Sequence, residues 1–257
     1  MKYYLAEANQ NTFILYDFLD KQSVDQKLLN EVQKALLFEN RDDALLLVNG
    51  SEKKGAFIAQ MLVLGQDGQL GEFCGNGARA CGAYLFDNYP HAKQHYLITP
   101  YGLHPLQKYD EDVYSINLPA ASFEIDSKFI ADPQTFRSKY PWIFVNMIEP
   151  HLTLEGEMSD QELYKQGREL NTQRDLFPLG INLNVWQIQR DGTLFVKTFE
   201  RGVQRLTRSC GTGSLSCASI YKSQGHVRVI TPGGPLDICL GVSGIELKGS
   251  GYYSKQE

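Results

Sequence analysis

Two segments of the sequence carry the same cysteine and glycine pattern. EFCGNGARACGAYLF and RSCGTGSLSCASIYK align so that Cys74 matches Cys210, Gly77 matches Gly213, and a second cysteine, Cys81 or Cys217, follows. A pattern that recurs in both halves of a chain indicates a duplicated domain. An apolar run follows each motif, so each motif is predicted to begin a buried helix, the first of them near residue 76.

A cysteine at a helix N-terminus has a defined chemistry. The first turn carries unsatisfied backbone N–H groups and a partial positive charge, which bind a carboxylate and lower the pKa of a thiol. Inversion of an α-carbon needs one group that removes a proton and a second that returns one on the opposite face. A thiolate and a thiol meet this need, and helix dipoles can stabilise the carbanion without an electron-sink cofactor. Cys74 and Cys210 are therefore candidate acid–base residues of a racemase.

Hydrophobic periodicity and turn residues predict the elements that position these motifs. In the first half they are strands at 2–8, 13–18, 44–48, 56–64, 95–101 and 105–118, and a helix at 25–38 capped by Asp25. In the second half they are a strand at 142–145, a helix from Ser159 to about Leu170, and a hairpin at 189–194 with Asp191-Gly192 at its tip.

A proline interrupts the strand pattern at Pro119, and no element is predicted between it and Trp142. We therefore predict one domain over 1–118 that carries Cys74 and one over 119–257 that carries Cys210, with the last strand free to pack on the first domain. The predicted fold class is α+β, with two pseudo-symmetric domains, each a strand-rich shell around a central helix.

Composition excludes several classes of protein. The chain of 257 residues has 42% hydrophobic residues, 30 acidic and 25 basic residues, and a net charge of -5, which is typical of a globular protein and argues against nucleic-acid partners. The apolar runs are too short for a membrane span or a signal peptide, so a cytoplasmic location is expected. Five cysteines without Cys-x-x-Cys, and five histidines outside zinc spacings, predict thiols and no metal site.

Across almost its whole length the sequence resembles the diaminopimelate epimerase family. The family's motifs occur in order as CGNGAR after an Asp-Gly turn, Pro150-His151, Asn182, Glu200-Arg201-Gly202 and CGTG, within a match that runs from Asn11 to Pro232-Gly233-Gly234. The resemblance implies a cytoplasmic isomerase that interconverts LL- and meso-diaminopimelate for lysine and peptidoglycan synthesis. It implies a diaminopimelate-epimerase-like fold, no pyridoxal phosphate or other cofactor, and a small amino-acid substrate as the partner, with a homodimer left open.

The resemblance also implies roles for individual residues. Cys74 and Cys210 would be the acid–base pair, with His151 and Glu200 tuning the thiols. The residues expected to bind substrate are the backbone donors Gly75, Asn76, Gly211 and Thr212 and the lining residues Asn11, Glu149, Asn182 and Arg201. The guanidinium fork of Arg201 suits a distal carboxylate.

Several features depart from the family pattern: three single positions, and the stretch from Glu200 to Cys210, which is one residue longer than usual. Ala44 stands where a glutamine is common, and Gly65 and Glu149 replace asparagines at positions for the distal part of the substrate. A carboxylate at Glu149 would repel a distal carboxylate and attract a cation, unless Arg201 pairs with it. Two alternatives to diaminopimelate therefore stay open: a racemase of another amino acid, such as histidine or a basic amino acid, and an inactive amino-acid-binding homologue.

Structural interpretations compete for single residues. Cys81 and Cys217 lie about two turns further along their helices and are predicted to be core residues, and Cys239 a strand residue without chemistry. His151 alone would be a structural histidine, and Glu200 and Arg201 alone a surface ion pair. The paired and ordered motifs favour the catalytic interpretation for Cys74 and Cys210.

Overall fold

A computed structural model of the chain describes residues 1–242 and 244–254. It divides into two compact units, one of Met1–Leu118 together with the residues from Glu246 onward, and one of Pro119–Ile245. Each unit is a set of strands around one central helix, so the predicted α+β class is confirmed. Within the described residues, no helix is both long enough and apolar enough to cross a membrane.

The first unit begins with two strands and ends with two strands. Its elements are β1 (Tyr4–Ala8), β2 (Asn11–Phe18), α1 (Gln26–Glu39), β3 (Asp43–Lys53), β4 (Ala56–Gly65), β5 (Leu70–Gly71), α2 (Gly75–Asn88), β6 (Gln94–Thr99), β7 (Gly102–Asp110) and β8 (Val113–Leu118). The pairing along the sheet alternates: β1–β2 antiparallel, β2–β3 parallel, β3–β4 antiparallel, β4–β6 parallel and β6–β7 antiparallel.

The second unit follows the same plan. Its elements are α3 (Pro133–Lys139), β9 (Ile143–Met147), β10 (Glu149–Glu155), α4 (Asp160–Thr172), β11 (Asn182–Ile188), β12 (Leu194–Glu200), β13 (Arg205–Thr207), α5 (Gly211–Tyr221), β14 (Gly225–Thr231) and β15 (Gly234–Gly241). The pairings β9–β10, β10–β11, β11–β12, β12–β14 and β14–β15 alternate between antiparallel and parallel in the same order.

The last two strands of the described residues are β16 (Gly244–Ser250) and β17 (Tyr252–Tyr253). β16 pairs with β8, and β17 pairs with β1 in antiparallel register, Ala6 opposite Tyr253. The C-terminal segment thus completes the sheet of the first unit, where its strands lie beside both the first and the last strand of the N-terminal segment.

The topology confirms the internal repeat that the two motifs indicate. In both units a short strand, β5 or β13, pairs with the strand before it and leads into the central helix, α2 or α5. Each central helix is buried on all sides from its start, over about three turns in α2 (Gly75 to Leu85) and about two turns in α5 (Gly211 to Ala218). Most residues around each helix are small or apolar, so enclosure by the strands removes apolar surface from water on every side.

Local capping signals place the outer helices where the sequence predicts them. The Asp25 side chain accepts from the Leu28 backbone N–H at the start of α1, which buries Leu29, Val32 and Leu36. Ser159 begins α4 with a complete capping box to Glu162. These two helices and both strand-turn-strand predictions around residues 9 and 191 are confirmed.

Two predictions of elements are wrong. The strand predicted over 105–118 is two strands, because a turn with Asp112 at φ 60° separates β7 from β8. The stretch after Pro119 contains α3, which is capped by Asp132 and buries only Phe136. A helix of seven residues with one buried side chain has too little periodicity to be recognised.

Candidate active site

Cys74 is the N-cap residue of α2. Its backbone is extended (φ −141°, ψ 107°), and its Sγ accepts a hydrogen bond from the Gly77 backbone N–H at 3.2 Å. A Cβ at Gly77 would lie 2.6 Å from Leu45 Cδ2, so the glycine allows α2 to approach β3 without displacing that side chain. The half-buried sulfur therefore sits at the positive end of a helix that is packed tightly against β3.

Cys210 occupies the same position on α5. Its backbone is extended (φ −118°, ψ 114°), its Sγ accepts from the Gly213 N–H at 3.4 Å, and the Thr212 hydroxyl lies 3.5 Å from the sulfur. The residue is only 7% exposed. Both motifs thus place a thiol as the cap of a central helix.

The surroundings of Cys210 favour its protonated form. Burial raises the pKa of the Cys210 thiol well above its ordinary value, and the negative charges of Glu200 and Glu149 raise it further. The hydrogen bonds from Thr212 and Gly213 lower the pKa but do not outweigh these effects. The helix N-terminus alone therefore does not make this sulfur a thiolate, and Cys210 is a thiol at neutral pH.

In the first unit, Asn76 connects α2 to the β1–β2 turn. Its amide Nδ2 donates to Asn11 Oδ1 at 2.9 Å, and its Oδ1 accepts from the Arg79 guanidinium at 2.7 Å. Asn11 in turn donates to Asp42 at 3.2 Å. The predicted substrate-binding residues Asn11, Gly75 and Asn76 are thus brought together at the N-terminus of α2.

In the second unit, Glu149, Asn182 and Arg201 form one polar cluster. Asn182 Nδ2 donates to Glu149 Oε2 at 3.0 Å, and Asn182 Oδ1 accepts from the Arg201 backbone N–H at 2.9 Å. Arg201 Nη2 lies 3.9 Å from Glu149 Oε1, and both side chains are less than 20% exposed (15% and 18%). The ion pair that the sequence left open is therefore formed. Ile148, with φ 70°, makes the tight β9–β10 turn that presents Glu149.

Glu200 ends β12 beside this cluster. Its Oε1 accepts a hydrogen bond from Thr207 Oγ1 at 2.5 Å, across the β12–β13 pair. Since Glu200 also raises the pKa of Cys210, its carboxylate lies close enough to influence the thiol. The negative charge of Glu200 therefore favours the protonated form of Cys210, in the same direction as burial.

His151 is fully buried and held by Asn184. Thr198 Oγ1 donates to Asn184 Oδ1 at 2.9 Å, so the Asn184 amide nitrogen faces His151 Nδ1 at 3.1 Å and donates to it. This network assigns the ring proton to Nε2, which is buried and has no hydrogen-bond partner within residues 1–242 and 244–254. Burial lowers the pKa of His151 to about 3, with a further lowering by Arg201, so the ring is neutral near pH 7.

The neutral state of His151 predicts a pH dependence of stability. An unfolded histidine binds a proton below about pH 6.5, whereas the folded one does so only near pH 3, so stability is lost as pH falls through this window. We measure the free energy of unfolding in urea between pH 4 and 5.5 and compare its slope against pH. The slope should be smaller in His151→Gln than in the wild type, by about 1.4 kcal/mol per pH unit. The exposed His91→Gln is the control. Equal slopes in wild type and His151→Gln would show that His151 is protonated in the folded protein.

The departures from the family pattern lie in different surroundings. Ala44 is fully buried in the apolar cluster between the strands and α1, where it packs with Ile14 and Leu36. Gly65 ends β4 in a turn closed by its N–H to the Gln69 carbonyl at 3.0 Å. Of the three, Glu149 is the one that lies among the predicted site residues.

The other cysteines agree with their predicted structural roles. Cys81 and Cys217 are fully buried in the central helices, and burial strongly raises the pKa of each thiol. Cys239 is an exposed residue of β15. No group of three or more potential metal-ligating side chains occurs among the residues that the structure describes.

Sequence reasoning missed residues that hold the site together. Arg79 and Asn184 are both fully buried and make side-chain hydrogen bonds to predicted site residues. The signals were a single charged residue within an apolar helix and a pair of asparagines, Asn182 and Asn184, on the same face of β11. Neither pattern is specific without the partners that the fold supplies.

Comparison with known proteins decides the class. No protein-family model matches the chain. It is 29% identical over 234 residues to the diaminopimelate epimerase of Thermotoga maritima, a match that covers 89% of each chain. It is 28% identical over 254 residues to that of Methanocella arvoryzae, which covers 93% of this chain and 89% of that one. The chain is an isomerase of the epimerase and racemase type.

Solved structures share the fold of this epimerase or racemase. A phenazine biosynthesis protein of the PhzF family from Bacillus anthracis matches with a TM-score of 0.69 at 12% identity, over 99% of this chain and 98% of that chain. A hydroxyproline epimerase from Agrobacterium vitis, solved with trans-4-hydroxy-L-proline, matches with a TM-score of 0.67 at 16% identity, over 98% and 88%. At these identities the likeness concerns the fold alone.

Proposed function

We propose that this protein is a cofactor-independent amino-acid epimerase that inverts an α-carbon with the thiols of Cys74 and Cys210. The observation that carries the proposal is that both cysteines cap the central helices of a duplicated fold, each accepting a hydrogen bond from the third residue of its helix. A chain with one such cap could bind a carboxylate. Two caps also supply the two acid–base groups that inversion requires.

In the proposed mechanism both helix N-termini bind the substrate carboxylate. The substrate carboxylate binds to first-turn backbone N–H groups of Gly75, Asn76, Gly211 and Thr212, which also stabilise the negative charge that develops next to it. One sulfur takes the α-proton and leaves the electron pair on the carbon. The other sulfur gives its proton to the opposite face, and the configuration is inverted.

Diaminopimelate is the substrate we propose. The relatives in Thermotoga maritima and Methanocella arvoryzae are named diaminopimelate epimerases. The distal end of diaminopimelate carries both an ammonium and a carboxylate group, and the cluster of Glu149, Asn182 and Arg201 offers one charged group for each. Arg201 would bind the distal carboxylate and Glu149 the distal ammonium. The reaction would then supply meso-diaminopimelate for lysine and peptidoglycan synthesis.

A basic amino acid, histidine included, is the second candidate substrate. Glu149 lies 3.9 Å from Arg201, so each charge partly compensates the other before any ligand binds. A cationic side chain that displaces Arg201 from Glu149 would form its own charge-assisted hydrogen bond there. This candidate uses Glu149 and not the guanidinium, whereas diaminopimelate would use both groups, so the requirement for Arg201 separates the two substrates.

Two substitutions separate these substrates. If diaminopimelate is the substrate, Arg201→Gln should lower kcat/KM for LL-diaminopimelate about 10–100-fold, since a hydrogen bond to a charged group contributes about 1.5–3 kcal/mol. If a basic amino acid is the substrate, Glu149→Gln should cause the loss and Arg201→Gln should not. Steady-state kinetics with both substrate classes is the measurement. If both variants keep full activity on both substrate classes, the cluster does not bind the substrate.

The experiment that tests the function itself is exchange of the α-proton in heavy water, followed by NMR. LL-diaminopimelate and a panel of L-amino acids that includes histidine, lysine and arginine are incubated with the full chain. Exchange with inversion of one substrate supports the proposal and names the substrate. Binding of an amino acid without exchange would mean an inactive binding protein, and would overturn it.

A further inference from the structure

Arg79 is a buried cation that the mechanism above does not use. It lies on α2, is 0% exposed, and is the largest fully buried side chain of the described residues. Its guanidinium makes four hydrogen bonds, all to uncharged oxygens: Ser250 O at 3.2 Å, Gly75 O at 3.2 Å, and Asn9 Oδ1 and Asn76 Oδ1 at 2.7 Å each.

The charge of Arg79 has no carboxylate partner in the described part of the chain. Fully buried arginines are almost always paired, because an isolated charge in a low-dielectric interior is costly. Burial lowers the pKa of Arg79 to about 10, and the Cys74 sulfur acts in the opposite direction. The guanidinium is thus still charged at neutral pH, three pH units below this value, and Cys74 is the group with which its charge interacts.

The geometry brings the guanidinium to the thiol end of the helix. Arg79 Nη1 donates back to the carbonyl of Gly75, the residue that follows Cys74, and Nη2 donates to Asn76, the next residue. The side chain therefore folds along the first turn toward the N-terminus, the direction that helical geometry favours for long side chains.

The second unit has the opposite electrostatics at the corresponding place. The residue aligned with Arg79 is Leu215, which is fully buried. Cys210 is influenced by the carboxylates of Glu200 and Glu149 instead of by a cation. Two helices with the same cap thus carry opposite charge around their sulfurs.

We propose that Arg79 is the counterion that keeps Cys74 as a thiolate in the resting protein, while Cys210 is the thiol. This inference rests on the proposed function for its catalytic meaning, since it divides the acid and base roles between the two cysteines. The resting protein would then take the substrate that presents its α-hydrogen to Cys74. The C–H bond breaks and its proton goes to Cys74 Sγ, and the Cys210 S–H bond breaks as its proton forms the new C–H bond.

Other titratable groups near this end of α2 have hydrogen-bond partners of their own. Asp42 accepts from the Thr12 backbone and hydroxyl at 2.9 and 3.0 Å. Glu72 accepts from the Tyr101 hydroxyl at 2.6 Å. His104 is buried, which lowers its pKa, so it is neutral near pH 7. Among these groups the guanidinium is the cation, and its hydrogen bonds hold it along the first turn of α2, where its charge interacts with Cys74.

The test measures the protonation of each cysteine without any substrate. The full chain is alkylated with iodoacetamide between pH 5 and 10, and the rate at Cys74 and at Cys210 is followed by mass spectrometry of their peptides. The pH midpoint of each rate profile reports thiolate formation, whereas exposure changes only the height of the profile. We expect the midpoint for Cys74 below about pH 7.5 and that for Cys210 at least one pH unit higher.

Variants then assign the effect to the guanidinium. Arg79→Leu, which copies Leu215 of the other repeat, should raise the Cys74 midpoint by at least about one pH unit, a tenfold loss of thiolate. Arg79→Lys keeps the charge and should restore at least half of that shift. Exposed Arg137→Leu on α3 is the matched control and should leave the midpoint unchanged. Thermal unfolding shows whether Arg79→Leu is folded. If it is not, the pH profiles of Cys74 alkylation in the wild type and in Arg79→Lys still test the role of the charge.

The alkylation experiment and the α-proton exchange experiment can fail independently of each other. A Cys74 midpoint at or above that of Cys210 in the wild type, or an unchanged midpoint in folded Arg79→Leu, would overturn the role of Arg79. Because alkylation needs no substrate, these outcomes do not depend on turnover. If the alkylation midpoints are as expected but no substrate exchanges its α-proton, the proposed function is wrong and the role of Arg79 as counterion still holds.

Discussion

Replacing either Cys74 or Cys210 by serine is expected to lower the rate of α-carbon inversion by about 10²–10⁴-fold, the usual contribution of a positioned acid or base. Serine can still cap a helix, so each variant retains the local structure and loses the proton-transfer group. Inversion needs both groups, which is why neither sulfur should compensate for the other. The measurement is α-proton exchange with inversion of the best substrate, for both single variants and the double variant.

The matched control is Cys239→Ser, which changes an exposed thiol of β15 that has no part in the motifs. It should keep wild-type activity. Because the two cysteines act in one reaction, the double variant should lose little more than each single variant. Full activity in either single variant would show that its sulfur does not carry the proton, and would contradict the two-thiol mechanism.

Gly213→Ala is expected to damage both stability and activity. A Cβ at Gly213 would lie 2.3 Å from Asn184 Oδ1 and 3.0 Å from Thr198 Oγ1. Asn184 is fully buried and holds His151, so the methyl group must displace this network or the start of α5. Overpacking of this kind costs about 1–3 kcal/mol, which urea unfolding measures. We also expect at least a tenfold loss of α-proton exchange, because the Gly213 N–H that caps Cys210 moves.

Gly82→Ala on the other central helix is the control for this prediction. A Cβ at Gly82 would meet its nearest neighbour, Tyr114, at 3.7 Å, which is an ordinary contact. Alanine favours a helix over glycine by about 1 kcal/mol, so this variant should be as stable as the wild type or more stable. If Gly213→Ala unfolds at the same urea concentration as Gly82→Ala, the close approach to Asn184 is not a constraint on the site.

Much of the fold can be predicted from the sequence, because its signals are local. Asp25 and Ser159 begin helices by hydrogen bonds that span three residues, and the structure has these caps. The two Cys-Gly-x-Gly motifs predict two helix N-termini, and both cysteines are found there. Periodicity fails for α3 and for the β7–β8 turn, where one buried residue or a single left-handed residue decides the conformation.

The candidate site follows the sequence only in part. In the first unit Asn76, two residues after Cys74, donates a hydrogen bond to Asn11, so two of the predicted site residues are in direct contact. The sequence also marks Glu149 and Arg201 as groups of opposite charge, but their separation of 3.9 Å results from the strand pairing and turns that bring them together. No local pattern predicts a pairing between residues that lie fifty positions apart.

The sequence by itself determined which residues can do the chemistry: two thiols at two helix starts in a duplicated chain. The tertiary structure decided which charged groups lie near each thiol. Burial and the carboxylates of Glu200 and Glu149 hold the proton on Cys210, whereas α2 carries the buried guanidinium of Arg79. The physical reason is that the pKa of a group depends on desolvation and on nearby charges. Burial, and the position of a distant carboxylate such as Glu149, are set only when the chain has folded.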